Sequence, residues 1–104
     1  MPGLRIIAGG CEVQPEALHV LAHPAVDVAV IGEGELAFCD LLEHYLGGST
    51  SPPAVQSIVV AQDGNLHHYP RTAVLGNLDT LPSPLLLDFV SLAEYPAVSI
   101  ETMR

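Results

Sequence analysis

Two glycine-rich turns carry the first chemical signal in this sequence. Gly32-Glu33-Gly34-Glu35-Leu36-Ala37 reads G-x-G-x-x-A directly after a run of β-branched residues. In that position glycines let backbone approach a ligand closely, and a helix opening behind them favours phosphate. The neighbouring residues oppose a dinucleotide. Glu33 and Glu35 place carboxylates where a pyrophosphate would lie, and about 20 residues on, where an acidic ribose ligand belongs, the chain is a Ser/Pro loop. Gly9-Gly10 is a second such turn, uninformative alone because many strand-to-helix turns use glycine. Its value lies in pairing: open α/β sheets bind ligands where two such turns meet at the carboxyl ends of adjacent parallel strands.

Other reactive residues point to no centre. His19 and His23 stand four apart, a spacing that can hold one ion on a helix, but no carboxylate completes H-E-x-x-H and a solvated helix face accounts for them. His67 and His68 are neighbours on an expected strand, so they face opposite ways and read as structural. Cys11 has no histidine close in sequence to activate it, and Cys39, 28 positions on, makes no C-x-x-C, so both are expected to be free thiols. No catalytic residue and no metal ligand is assigned.

The elements that must position the glycines follow from patterning. Leu4 to Ala8 is a short apolar run closed by Gly9-Gly10; Pro15-Glu16 starts a helix with Leu18, Leu21 and Ala22 on one face, ended by His23-Pro24. Val26 to Ile31 reads as a second strand. The spacing then predicts a helix over Glu35 to Leu46, with an apolar stripe of Phe38, Leu41, Leu42 and Tyr45 and a stop at Gly47-Gly48. This β-α-β-α order implies a parallel pair with a right-handed crossover and both glycine turns on one edge. Ser57 to Ala61 and Leu66 to Tyr69, joined through Gln62-Asp63-Gly64-Asn65, read as a small β-hairpin. From Pro70 onward, prolines 70, 82, 84 and 96 deny a long helix, while Leu85-Leu86-Leu87 and Phe89-Val90 suggest a linker that still docks. The expected class is α/β: a partial Rossmann-like parallel sheet with flanking helices, a hairpin and a Pro-rich linker. Two parallel strands with one helix each leave the sheet faces short of cover, so further strands are expected before Met1.

Composition narrows the partners. In 104 residues there are 12 acidic and 3 basic side chains and no lysine, a net charge of −9. Nucleic-acid binding needs clustered cations and is excluded on charge. No apolar run approaches the roughly 18 residues of a membrane span, and the amino end lacks a targeting pattern, so no membrane partner and a cytoplasmic location are expected.

Taken in order, Ile6-Ile7-Ala8-Gly9-Gly10, then His23 through Glu35, then Leu41-Leu42 resemble the later half of the cobalamin (vitamin B12)-binding domain of cobalamin-dependent radical SAM enzymes. Leu78-Asp79-Thr80-Leu81-Pro82-Ser83-Pro84 is similar to that family's linker, and Ser99 to Arg104 to the stretch before its cysteine cluster motif. The resemblance implies that residues 1–54 are the C-terminal half of a flavodoxin-like cobalamin-binding domain, 55–70 a hairpin, and 71–104 a linker to a radical SAM domain. It also implies that Gly9, Gly10, Gly32, Glu33 and Gly34 bind the cobalamin tail, Glu33 through a ribose hydroxyl or through backbone. The [4Fe–4S] cluster and SAM would belong to the parent enzyme only. The family's D-x-H-x-x-G and S-x-L elements are absent, so no aligned residue here can be a lower cobalt ligand. On the residues alone, two other classes stay open: a non-catalytic α/β interaction or regulatory module, and a nucleotide-binding Rossmann fragment.

Overall fold

The computed structural model describes residues 3–11, 13 and 18–97. The chain divides into two compact units, Met1–Val74 and Leu75–Arg104. The first is an α/β unit containing β1 (Ile7–Ala8), α1 (Leu18–Leu21), β2 (Val28–Val30), α2 (Glu35–Leu46), β3 (Ile58–Gln62) and β4 (Asn65–Tyr69). Its sheet has the order β1-β2-β3-β4, with β1 and β2 parallel and the other two neighbours antiparallel. The sheet is therefore mixed. The expected parallel pair is present, but the hairpin is continuous with it, because β3 lays Ile58, Val59 and Val60 against Val30, Ala29 and Val28. Two antiparallel steps also turn β4 to run in the direction of β2.

Alternation explains the core. Val28, Val30, Ile58 and Val60 project to one face and pack with Ala37 and Leu41 of α2, flanked by Ile7, Tyr45, Val55 and Tyr69. Ala29 and Val59 project to the other, where Val13, Leu21 and Leu66 meet them. β2 and β3 are thus apolar and buried on both sides, as central strands between helices are. The sequence-based expectation that one helix per strand leaves the faces short of cover does not hold for these central strands: α2 closes one face, α1 and Val13 the other.

Helix α2 has the expected bounds, but its inward face differs. Ala37, Leu41 and Tyr45 point to the sheet, whereas Phe38 and Leu42 are 47% and 40% exposed. Two of the four expected stripe residues, Leu41 and Tyr45, face the sheet, and Ala37 completes an i, i+4, i+8 line with them in place of Phe38 and Leu42. Gly47 N–H bonds to the Glu43 carbonyl at 2.9 Å and Gly48 N–H to that of Tyr45 at 3.2 Å, ending the helix where expected. In the hairpin, Asp63 and Gly64 both have positive φ, 51° and 78°, the type I′ geometry that matches strand twist. α1 is described over Leu18–Leu21; its expected start at Pro15-Glu16 lies outside the described residues.

At the amino rim of β1 and β2, Asp27 ties the strands together. One carboxylate oxygen accepts from Ile6 N–H at 2.8 Å and the other from Arg5 Nη1 at 3.1 Å, while the Ile6 carbonyl accepts from Asp27 and Val28 N–H. The Arg5 guanidinium also lies 5.6 Å from the centre of the Tyr45 ring.

The second unit is made of turns. The Asn77 side chain accepts from Asp79 N–H at 2.9 Å and opens a 3-10 turn over Leu78–Thr80; another covers Leu92–Glu94. Prolines exclude a longer helix, as expected. Of the apolar residues expected to dock, Leu85 and Val90 are half-buried and Leu86, Leu87 and Phe89 exposed. Ser99 to Arg104 lie outside the described residues.

Two outcomes test this packing. Leu41→Ala should cost 2–5 kcal/mol in urea unfolding and Leu42→Ala below about 1 kcal/mol, since only the first opens a cavity; equal losses would reverse the helix face. The Tyr45 hydroxyl is pushed above its ordinary pKa by burial, then by the Asp27 charge, with Arg5 opposing. Above about pH 10 the unfolded chain therefore releases this proton before the folded one, and stability falls with rising pH until the folded group also ionises. Unfolding midpoints from pH 8 to 11 should decline more steeply for the parent than for Tyr45→Phe; parallel curves would contradict the assignment.

Candidate ligand-binding site

Parallel pairing of β1 with β2 sends both strands out at the same rim, and each is followed by its glycines. Gly9 and Gly10 after β1, and Gly32 and Gly34 after β2, line one open groove of about 420 Å³. Its apolar wall comes from Ile7, Val30 and Phe38, and Glu35, the first residue of α2, also lines it. That volume lies within the 300–1,000 Å³ of ordinary small-molecule sites. The groove is an open cleft rather than an enclosed cavity, suited to holding one end of a larger ligand.

The glycines serve this groove in different ways. Gly10 and Gly32 have φ of 111° and 74°, conformations that side-chain-bearing residues rarely adopt, and a Cβ at either would stand in open space. Their requirement is conformational. A Cβ on Gly9 would lie 3.7 Å from Val30 Cβ, an ordinary contact, and one on Gly34 would lie 3.3 Å from Val30 Cγ1, a tight one. Gly9 is therefore the position where bulk can be added to the groove with the least disturbance of the fold.

Glu33 behaves unlike its glycine neighbours. It does not line the groove; its carboxylate pairs with the guanidinium of Arg71, in the segment that follows β4. That segment is itself held, since Gln56 Oε1 accepts from the backbone N–H of Thr72 at 3.2 Å and of Ala73 at 2.8 Å. Arg71 was not singled out from the sequence. Its proximity depends on the hairpin joining the sheet, which turns the end of β4 to the glycine rim, and the one signal available was that it is one of only 3 basic residues. Ile7, Val30, Glu35 and Phe38 were likewise placed at the site only by the fold.

The remaining candidates stay apart from the groove or are occupied. His23 Nδ1 accepts from Ala25 N–H at 3.2 Å, closing the turn before β2. His67 and His68 pair with Val60 and Val59 across the hairpin and, as neighbours in a strand, face opposite sides. Cys11 and Cys39 are free and exposed. Among the described residues no group of three His, Cys, Asp or Glu could hold a metal ion, and no helix is long and apolar enough to cross a membrane.

Comparison with known proteins gives one informative similarity. No family model matches the chain. Over 87 residues, 83% of its length, the chain is 34% identical to the cobalamin-dependent radical SAM methyltransferase TokK of Streptomyces tokunonensis. It spans 13% of the length of that protein.

The groove makes a mutational forecast. Gly9→Val should leave the unfolding midpoint within about 1 kcal/mol of the parent, while Gly32→Val, forced into a positive φ, should cost on the order of 1–3 kcal/mol. Equal destabilisation by the two would show that Gly9 is as constrained as Gly32 and that the groove is not open at that wall.

Proposed function

We propose that this chain is part of a cobalamin-binding module of a radical SAM enzyme, and that its glycine groove receives the nucleotide tail of the cofactor. The observation that carries the reading is the convergence of two glycine turns from adjacent parallel strands on one groove at the carboxyl rim. The similarity to a cobalamin-dependent radical SAM methyltransferase supports it, since it spans most of this chain. In this reading Gly9, Gly10, Gly32 and Gly34 let the backbone approach the tail, and Ile7, Val30 and Phe38 give its aromatic base an apolar wall. Glu33 acts indirectly, by holding Arg71.

Cobalamin, when bound, supplies alkyl-transfer chemistry at cobalt. The residues of this chain bind and orient; the radical chemistry, with its cluster and SAM, belongs to another domain of the parent. A dinucleotide fits this rim less well, because its pyrophosphate brings more negative charge than the single phosphodiester of the cobalamin tail to a chain with a net charge of −9.

A titration separates these possibilities. Hydroxocobalamin added to the isotope-labelled chain should shift the amide signals of Gly9, Gly10, Gly32 and Gly34 with a Kd on the order of 10 µM or weaker, as befits a partial site, and Gly9→Val should abolish the shifts. Sub-micromolar saturation would contradict the partial site. Absence of any response at millimolar concentration, or a response to NAD alone, would end the cobalamin reading.

A further inference from the structure

The carboxyl rim carries a second concavity beside the Gly32–Gly34 turn, about 220 Å³ in volume, and Arg71 lines it together with Ser57, His68 and Tyr69. Arg71 thus stands between the glycine turn, through Glu33, and this neighbouring hollow. The other described arginine, Arg5, is committed to Asp27 and Tyr45 at the opposite rim, and the chain has no lysine. In a protein with a net charge of −9, any anionic group reaching this rim depends on Arg71 for compensation.

The guanidinium is held in place but not saturated. Its Nη2 donates to Glu33 and its Nε to the Ala73 carbonyl at 3.1 Å. A guanidinium has five N–H donors, so both Nη1 donors and one on Nη2 remain without a partner among the described residues. The side chain is 38% exposed, which leaves that edge open to a ligand. Its backbone is strapped through Thr72 and Ala73 to Gln56. A planar donor set fixed on two sides and open on the third loses little freedom on meeting an oxyanion.

We infer that Arg71 is an anion-binding residue of this rim, offering its free guanidinium edge to a phosphate group where a ligand seated in the glycine groove extends into the neighbouring hollow. Resting on the cobalamin reading, the group it meets is the phosphodiester of the nucleotide tail. Glu33 tunes the site. Its carboxylate holds the guanidinium and also competes with the incoming anion for it, so removing the charge at 33 should strengthen anion binding, an effect that a purely structural ion pair would not produce.

The test uses two probes on the labelled chain. Phenyl phosphate should shift the Arg71 Nε–Hε signal and the amides of residues 32–34. Arg71→Gln should abolish the amide response, Arg71→Lys restore part of it, and Glu33→Gln tighten binding several-fold. No shift at Arg71, or weaker binding in Glu33→Gln, would overturn the inference. In the second arm, Arg71→Gln should weaken hydroxocobalamin about tenfold, the scale of a lost charge-assisted hydrogen-bond pair, while leaving cobinamide, which lacks the phosphate and nucleotide, unchanged. Equal losses for both corrinoids, or none for either, would overturn the assignment to the phosphodiester while the cobalamin reading survives. A phosphate response at Arg71 without any corrinoid binding would do the reverse.

Discussion

The parallel register of β1 against β2 is the constraint on which the site depends. Only two residue pairs make it, Ile7 with Val28 and Ala8 with Ala29. So short a ladder is weak by itself, and Asp27 reinforces it from the side by accepting Ile6 N–H and Arg5 while its own N–H reaches the Ile6 carbonyl. That contact is exposed, so its role is to select one pairing rather than to supply much stability. The selection matters because a slip of one residue would send Ile7 to the opposite face and move the first glycine turn away from the second.

Stability comes from elsewhere in the sheet. β2 and β3 are packed on both faces, and their Val, Ile and Ala side chains reach α2 on one side and Leu21 with Val13 on the other. The hairpin is therefore part of the scaffold that holds the second glycine turn. Ser57 shows the join: its carbonyl accepts from Ile31 N–H at 2.8 Å, extending the β2–β3 pairing to the residue just before Gly32. By closing this side of β2, β3 and β4 also carry Arg71 to the rim. The glycine groove and the core are thus built from the same strands, apolar through the middle and glycine-rich or charged at one end.

Much of this was legible in the sequence because local signals governed it. The bounds of α2 follow from its periodicity and the Gly47-Gly48 stop, and the hairpin from Asp63-Gly64, whose positive φ values are those that dipeptide prefers. The meeting of the glycine turns on one rim follows from strand-helix-strand order. Local signals could not show that β3 pairs with β2, since hydrophobic alternation fixes a strand's faces but not its neighbour. Without that pairing, neither the cover of the sheet nor the place of Arg71 could be read. The inward face of α2 was read correctly at Leu41 and Tyr45 but not at Phe38 and Leu42, which are more apolar than the buried Ala37, because side-chain size and hydropathy do not tell which way the helix rolls on the sheet. Glu33 was grouped with its glycine neighbours by position in the turn, and only the fold shows that its carboxylate pairs with Arg71.

The cobalamin reading joins this geometry to a similarity covering 83% of the chain and 13% of a much longer methyltransferase. The most direct measurement is paramagnetic broadening of the amide spectrum by cob(II)alamin, whose unpaired electron reports position by distance. The account predicts losses strongest around residues 9–10 and 32–34 and fading toward the Arg5–Asp27 rim. Broadening centred on Arg5 and Tyr45, or spread evenly over the surface, would contradict it.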